Sequence, residues 1–250
     1  VFKEILDLKR HTVVTLIGAG GKTTTMYYLA YKMAQANCRV LITTTTKIYY
    51  LAKDVERFVK AQIYDEWLYK LKERARPGKY LVAGSGVKDG KVLGVVPEWI
   101  DELAGSGIFD LILVEGDGSA QKPLKAPAEF EPVIPESTSL LLPVLGLSGV
   151  GQSLSKKVVH RVEKFMELTG LKIGEKIGID HLFQVYTQPE GYDLLKWKDI
   201  CKVVPIINQV DDDLLEEIGQ KLAGLFLKSG IDPVLLTCYR KNQIIWRICR

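Results

Sequence analysis

Val13–Thr25 reads VVTLIGAGGKTTT. Five apolar or β-branched residues, Val13 to Ile17, predict a buried strand. They run into Gly18-Ala19-Gly20-Gly21, a loop almost without side chains, and then into Lys22 and three threonines. Glycines let backbone N–H groups turn inward and approach a polyphosphate closely, and a helix beginning at the lysine adds partial positive charge. In such a loop Gly18, Ala19, Gly20, Gly21 and Thr24 line the phosphates. Lys22 reaches the β- and γ-phosphates, and the Thr23 hydroxyl ligates Mg2+.

The spacing narrows the choice. The longer G-x-x-x-x-G-K-[ST] pattern needs glycine where Leu16 stands, so the motif is the shorter G-x-x-G-K-T-T. That form resembles the loops of Mur-type ligases and those of metal-insertion NTPases. A dinucleotide loop, G-x-G-x-x-G, needs a third glycine at position 23, which is Thr23, and an acid at the end of the next strand, which ends in threonines. A purely structural turn has no use for Lys-Thr-Thr.

Composition sets outer bounds. The 250 residues suffice for one large α/β domain, and a hydrophobic fraction of 47% excludes disorder. No window holds enough consecutive apolar residues for a membrane span. Charges in Phe2-Lys3-Glu4-Ile5-Leu6-Asp7-Leu8 argue against a secretory leader. Cys38, Cys201, Cys238 and Cys249 form no C-x-x-C pair and no zinc spacing, so they read as thiols of a reducing cytoplasm, Cys38 and Cys238 packed near strands. The net charge is +4, with its densest basic patch at Lys70–Arg76. That patch has no interleaved aromatics to stack on bases, so it reads as a solvated helix face rather than a nucleic-acid site.

Outward from the loop, Met26, Leu29, Ala30 and Met33 fall at helical spacing and predict a helix over Lys22–Ala36. Buried strands are expected at Val40–Thr44, Phe109–Val114, Ser139–Leu145 and Val203–Asn208. Asp211–Ser229 reads as a helix with Leu214, Ile218, Leu222 and Leu225 on its apolar face and Gly230 beyond its end. Val234–Cys238 and Ile244–Ile248 close the chain as strands in a hairpin. Tyr80–Ala83 and Val92–Val95 suggest another hairpin across Lys88-Asp89-Gly90. Strand–helix alternation implies a three-layer α/β P-loop NTPase-like fold with a mostly parallel sheet. It is expected as one domain over residues 1–250, with a hairpin insertion at 77–97 and a mixed insertion at 120–199 carrying a helix over Val158–Thr169.

Other constellations add chemistry. Glu115 and Asp117 end the third strand in Glu115-Gly116-Asp117-Gly118-Ser119, where acids bind Mg2+ and orient an attacking water. Two acids this close repel unless a cation or donors lie between them. Val203–Asp211 reads VVPIINQVD, and its Asn208-x-x-Asp211 resembles a guanine-reading element, with Gln209 where lysine is usual. A carboxylate accepts both N1–H and the 2-amino group of guanine, while Asn208 ties its loop to the phosphate loop. Asp211 equally suits a helix cap. Thr46 and Lys47, ending Thr43-Thr44-Thr45-Thr46-Lys47, either face the metal and γ-phosphate or belong to an ordinary strand end. Lys122 and Lys125 either neutralise an acidic substrate or ride on a proline-stiffened loop. His160 and Arg161 begin the insertion helix, where Arg161 is either a charge-stabilising finger or a solvated helix residue.

As an ordered set, GAGGKTT (Gly18–Thr24), TTTTK (Thr43–Lys47), GSGV (Gly84–Val87), VPEWID (Val96–Asp101), VEGDGS (Val114–Ser119), PLKAPAEFEPVIP (Pro123–Pro135), VHR (Val159–Arg161), LTG (Leu168–Gly170) and the late N-x-x-D resemble the selenium-dependent molybdenum hydroxylase accessory protein family (YqeC-like). The likeness departs at Gly116, where alanine is expected, and at Gln209, where lysine is. It implies a cytoplasmic factor for maturing selenium-containing molybdenum hydroxylases, with apo-hydroxylases or carriers of selenium or molybdopterin as partners. The expected activity is Mg2+-dependent binding and hydrolysis of a nucleotide, GTP ahead of ATP. The alternatives are a phosphoryl or nucleotidyl transferase or ligase acting on a small acidic precursor held by Lys122, Lys125 and Arg161, and a non-catalytic nucleotide-binding scaffold.

Overall fold

The computed structural model describes residues 12–49, 56–239 and 247–249. In chain order its elements are β1 (Val13–Gly18), α1 (Lys22–Gln35), β2 (Val40–Thr44), β3 (Lys47–Tyr49), β4 (Phe58–Lys60), α2 (Tyr64–Arg74), β5 (Tyr80–Gly84), β6 (Gly86–Lys88), β7 (Lys91–Leu93), α3 (Pro97–Ala104) and β8 (Leu111–Glu115). There follow β9 (Leu124–Lys125), β10 (Leu140–Gly146), β11 (Val159–His160), α4 (Val162–Thr169), α5 (Ile179–Thr187), α6 (Leu194–Trp197), β12 (Lys202–Val203), β13 (Ile206–Asn208), α7 (Asp213–Lys228), β14 (Val234–Thr237) and β15 (Arg247–Cys249). The chain groups into two compact units. One takes in the described residues of Val1–Leu16, Thr23–Gly118 and Val133–Leu140, the other those of Ile17–Lys22, Ser119–Pro132 and Leu141–Arg250.

In the first unit β1, β8, β2, β5 and β4 lie side by side in that order, all parallel. Every residue of β2, β5 and β8 is buried, as a parallel sheet covered on both faces requires. One face packs Leu41, Leu81, Ile112 and Val114 against Trp67 and Leu71 of α2 and Ile100 and Leu103 of α3. Met26, Leu29, Ala30 and Met33 of α1 are buried at the spacing the sequence predicts.

The hairpin expectation is half corrected. Lys88-Asp89-Gly90 does hold a tight turn, with Asp89 and Gly90 both at positive φ (51° and 68°), but it joins β6 to β7. Tyr80–Gly84 is instead a core strand between β2 and β4. Five consecutive buried residues leave it no solvent face for a hairpin. The antiparallel β6–β7 pair is completed by β3.

In the second unit β10, β13 and β14 run parallel, β15 pairs antiparallel with β14, and β12 adds to β10. The expected strand at Val203–Asn208 is thus two short ones broken before Pro205. The strand expected over Ile244–Ile248 lies partly outside the described residues. A separate parallel pair joins β9 to β11, with Lys125 opposite His160. α7 begins two residues later than expected, capped by the Asp212 side chain, which accepts from Leu215 N at 2.8 Å. Its buried face is Gly219, Leu222, Ala223 and Phe226, while Leu214 is 66% exposed. A Cβ on Gly219 would make a tight approach, 3.1 Å, to Leu236 Cδ2. No helix among the described residues is long and apolar enough to cross a membrane.

Candidate functional site

The loop after β1 is built from its backbone outward. Gly18, Gly20 and Gly21 all adopt left-handed conformations, with φ of 95°, 84° and 128°. Each also stands where a side chain has no room. A Cβ on Gly18 would run into Val144 O and Tyr186 Oη, one on Gly20 into the Gly146 backbone, and one on Gly21 into Asn208 Nδ2. The approach is mutual, since a Cβ on Gly146 would lie 2.7 Å from Gly20 Cα and 2.6 Å from Gln209 Oε1.

Hydrogen bonds hold the loop against its own unit. Ala19 N donates to Val144 O at 3.0 Å, and Tyr186 Oη donates to the same carbonyl at 2.7 Å. The Asn208 amide bridges two partners. Its Nδ2 donates to Gly20 O at 2.7 Å, and its Oδ1 accepts from Thr237 Oγ1 at 2.9 Å. Gln209, at φ 69°, turns its Oε1 to accept from Ser148 N at 3.0 Å. A glutamine here braces the β10 turn instead of offering a long stem to a base. Lys22, 3% exposed, donates from Nζ back to Gly18 O. Asp211 accepts from Cys238 Sγ at 3.0 Å; the helix cap is its neighbour Asp212.

The first unit carries the acids. Thr23 Oγ1 donates to Glu115 Oε2 at 3.0 Å, with Glu115 5% exposed and Asp117 fully buried. Threonine hydroxyls fix the acidic turn. Thr44 Oγ1 donates to Glu115 O at 2.8 Å, Thr45 N to the same carbonyl at 3.2 Å, and Thr45 Oγ1 to Val133 O at 2.7 Å. Thr46 Oγ1 lies 3.3 Å from Thr44 Oγ1. Thr44 and Thr45 therefore spend their hydroxyls on carbonyls, Thr24 is exposed, and Lys47 is exposed on β3. A hydroxyl and a carboxylate oxygen 3.0 Å apart are a hard donor pair of the kind Mg2+ takes alongside phosphate oxygens.

A model of the YqeC protein family matches residues 14–163, more than half the sequence. The chain belongs to the YqeC family. It is 34% identical over 190 residues to YqeC of Escherichia coli (strain K12), covering 75% of this chain and 73% of that one. Among solved structures it is similar to chloroplast FtsY from Physcomitrella patens (TM-score 0.44, 14% identity), covering 90% of this chain and 58% of that chain. It is also similar to the MinC:MinD cell division protein complex of Aquifex aeolicus (TM-score 0.47, 14% identity), covering 90% and 81%. The family match takes in the loop, both acids, Lys125 and Arg161; Asn208 and Asp211 lie beyond it.

Within that match the second unit holds an ion cluster centred on a residue the sequence reading missed. Lys125 Nζ lies 2.5 Å from Glu131 Oε2, both side chains buried, and Arg161 grips the same carboxylate through Nη1 at 2.6 Å and Nη2 at 3.0 Å. Arg161 is held at φ 59°, ψ 60°, a left-handed conformation costly for a residue with a Cβ. It is neither a solvated helix residue nor an extended finger in this state. Lys122 is half-buried before β9, and His160 is half-buried on β11. Glu131 gave only the signal of one acid in a proline-rich stretch, because Arg161 reaches it from another segment and the turn that brings Lys125 onto it is set by the fold. Tyr186, Gly146 and Thr237 were equally invisible, each meeting the loop or its tether only through the fold.

Proposed function

We propose that the protein is a Mg2+-dependent nucleotide-binding enzyme, a GTPase ahead of an ATPase. The observation that carries this reading is the loop itself: three left-handed glycines ending at a lysine on the first turn of a helix. The backbone of Gly20 and Gly21 and the α1 N-terminus favour phosphate oxygens. Lys22 exchanges its contact with Gly18 O for the phosphates. Thr23 and Glu115 hold the metal, which supplies charge neutralisation at the phosphates. Asp117, or Glu115 where it is not needed as a ligand, orients water. Asn208 and Asp211 read the base, and the tether from Asn208 to Gly20 supports a coupling of base recognition to loop shape. Thr46 and Lys47 have a lesser role beside the γ-phosphate.

The test is nucleotide titration. Lys22→Ala should lose phosphate-dependent affinity, and Asp211→Asn should shift preference from guanine to xanthine nucleotides. Unchanged base selectivity in the second variant removes Asp211 from the reading. Unchanged affinity in the first removes the nucleotide site itself.

A second reading, transfer of a phosphoryl or nucleotidyl group to a small acidic acceptor, draws on the cluster in which Lys125 and Arg161 share one carboxylate. An acceptor carboxylate that displaces Glu131 meets two cations, with Lys122 and His160 near in sequence. Release of inorganic phosphate with no acceptor present favours hydrolysis. A strict acceptor requirement favours transfer, and tight binding without turnover favours a scaffold. The family resemblance supports a cytoplasmic setting and a role in maturing selenium-dependent molybdenum hydroxylases, with the apo-hydroxylase or a selenium or molybdopterin carrier as partner. Co-purification of the tagged protein with an apo-hydroxylase tests that setting.

A further inference from the structure

The basic run Lys70–Arg76 does not behave as one solvated face. Lys70 is spent on the helix surface, where Nζ meets Glu66 at 2.5 Å and Lys60 O at 3.1 Å. Arg74 is spent at the end of α2, donating to Phe58 O at 2.7 Å and to Glu56 O. Beyond them, Arg76 and Lys79 join Arg57 around a cavity of about 560 Å³ at the start of β5, lined also by Tyr31, Arg74 and Tyr80. Among the described residues four cations surround it, and Glu56 is the one acid in its lining.

The aromatics whose absence argued against a nucleic-acid site in the sequence are supplied by other segments. Tyr80, the first residue of β5, lies under the Arg57 guanidinium, which is 4.5 Å from the ring centroid and donates through Nη1 to Tyr80 Oη at 2.6 Å. Tyr27 abuts the Tyr80 ring edge-on, with centroids 6.1 Å apart. Arg57 is therefore pre-set, with its guanidinium over an aromatic ring and one nitrogen bonded to that ring's hydroxyl. Tyr31 presents a ring 54% exposed at the rim. Carbonyls beside β4 account for Arg74, and the carbonyl end of α2 accounts for one nitrogen of Arg76, whose Nη1 donates to Ala75 O at 2.8 Å, but neither accounts for Arg57 and Lys79 around the same hollow. The volume falls within the range of small-molecule sites, and guanidinium groups bind phosphate oxygens in pairs.

We propose that this cavity binds a small phosphorylated molecule through Arg57, Arg76 and Lys79 above the Tyr80 ring. The site is independent of the glycine loop, and its concave shape favours a small anion over a nucleic-acid strand. The experiment is calorimetric titration of the full chain with pyrophosphate at low salt and without Mg2+, on a Lys22→Ala background so that the loop does not contribute. Pyrophosphate should bind that variant, and adding Arg76→Gln with Lys79→Gln should weaken binding at least tenfold. Both residues are exposed, so the fold is spared. Lys88→Gln with Lys91→Gln, removing equal charge from the β6–β7 hairpin, should change it less than twofold. Three results overturn the proposal: no pyrophosphate binding on the Lys22→Ala background, equal weakening by the two charge pairs, or binding of a short single-stranded oligonucleotide in place of pyrophosphate. None of them bears on the nucleotide titration that tests the loop.

Discussion

Asn208→Ala should loosen the phosphate loop from its support. The substitution removes two buried hydrogen bonds, to Gly20 O and from Thr237 Oγ1. Each contributes about 0.5–1.5 kcal/mol net, and the stranded Gly20 carbonyl adds a desolvation cost of about 1–3 kcal/mol. The sum is about 4 kcal/mol at mid-range. At a urea m-value of about 3 kcal/mol/M, that lowers the unfolding midpoint by about 1.3 M. Coincident fluorescence and circular dichroism transitions are needed first, to license a single free energy. Thr237→Val alone should cost about 1 kcal/mol. In the double variant the two costs should fall short of additive by about 1 kcal/mol, because the hydroxyl that Asn208→Ala leaves unpaired is gone. Hydrogen exchange should locate the effect, with amides of Ile17–Lys22 exchanging faster than those of β14. A midpoint shift below about 0.2 M, strict additivity, or unchanged exchange in the loop would refute the tether.

Glu131→Gln removes the carboxylate that Arg161 and the buried Lys125 share and should destabilise the second unit by about 3 kcal/mol, measured as a loss in denaturant midpoint; Glu131→Asp should recover part of it. Arg39 donates to Asp110 from its backbone N at 2.7 Å and through Nε and Nη2, and these bonds hold the Asp110 carboxyl below its ordinary range. Its contribution is therefore complete above the unfolded carboxyl pKa and is lost as pH falls through the lower folded value. With both side chains about a third exposed it is worth at most about 1 kcal/mol. Asp110→Asn should flatten the acid limb of a stability–pH curve by that amount and leave neutral pH little changed beyond it. Burial raises the Cys201 thiol to about 11, so at pH 8 it should alkylate with iodoacetamide far more slowly than a free thiol, as peptide mass mapping would report.

What the sequence made legible was what local chemistry determines. Positive-φ glycines, the β1 run and the 3.6-residue spacing of α1 all lie within one short window, so no distant partner was needed to read them. Tyr80–Gly84 was misread because a short apolar run suits a hairpin strand and a doubly covered core strand alike. Its partners β2 and β4 decide between them. On α7 the start expected at Asp211 lies two residues early, in a run of three aspartates. Asp212 takes the cap, and Leu214, in the first turn, remains outside the buried face. The candidate site divides in the same way. Lys22 and Thr23 announce themselves by motif, whereas Glu131 and Thr237 acquire meaning only from Arg161 and Asn208, side chains about thirty residues away in sequence.

The near contact of Gly20 with Gly146 has an evolutionary corollary. Both positions are closed to side chains for a steric reason that owes nothing to a bound phosphate. In descendants of this fold the two should be inherited as a pair, and a relative that gains a side chain at one must re-route β10 or the loop. Retention of Gly20 alone is then a poor marker of a working phosphate site. A better marker is a lysine kept at position 22, since a cation that reaches the β- and γ-phosphates is what the motif needs there.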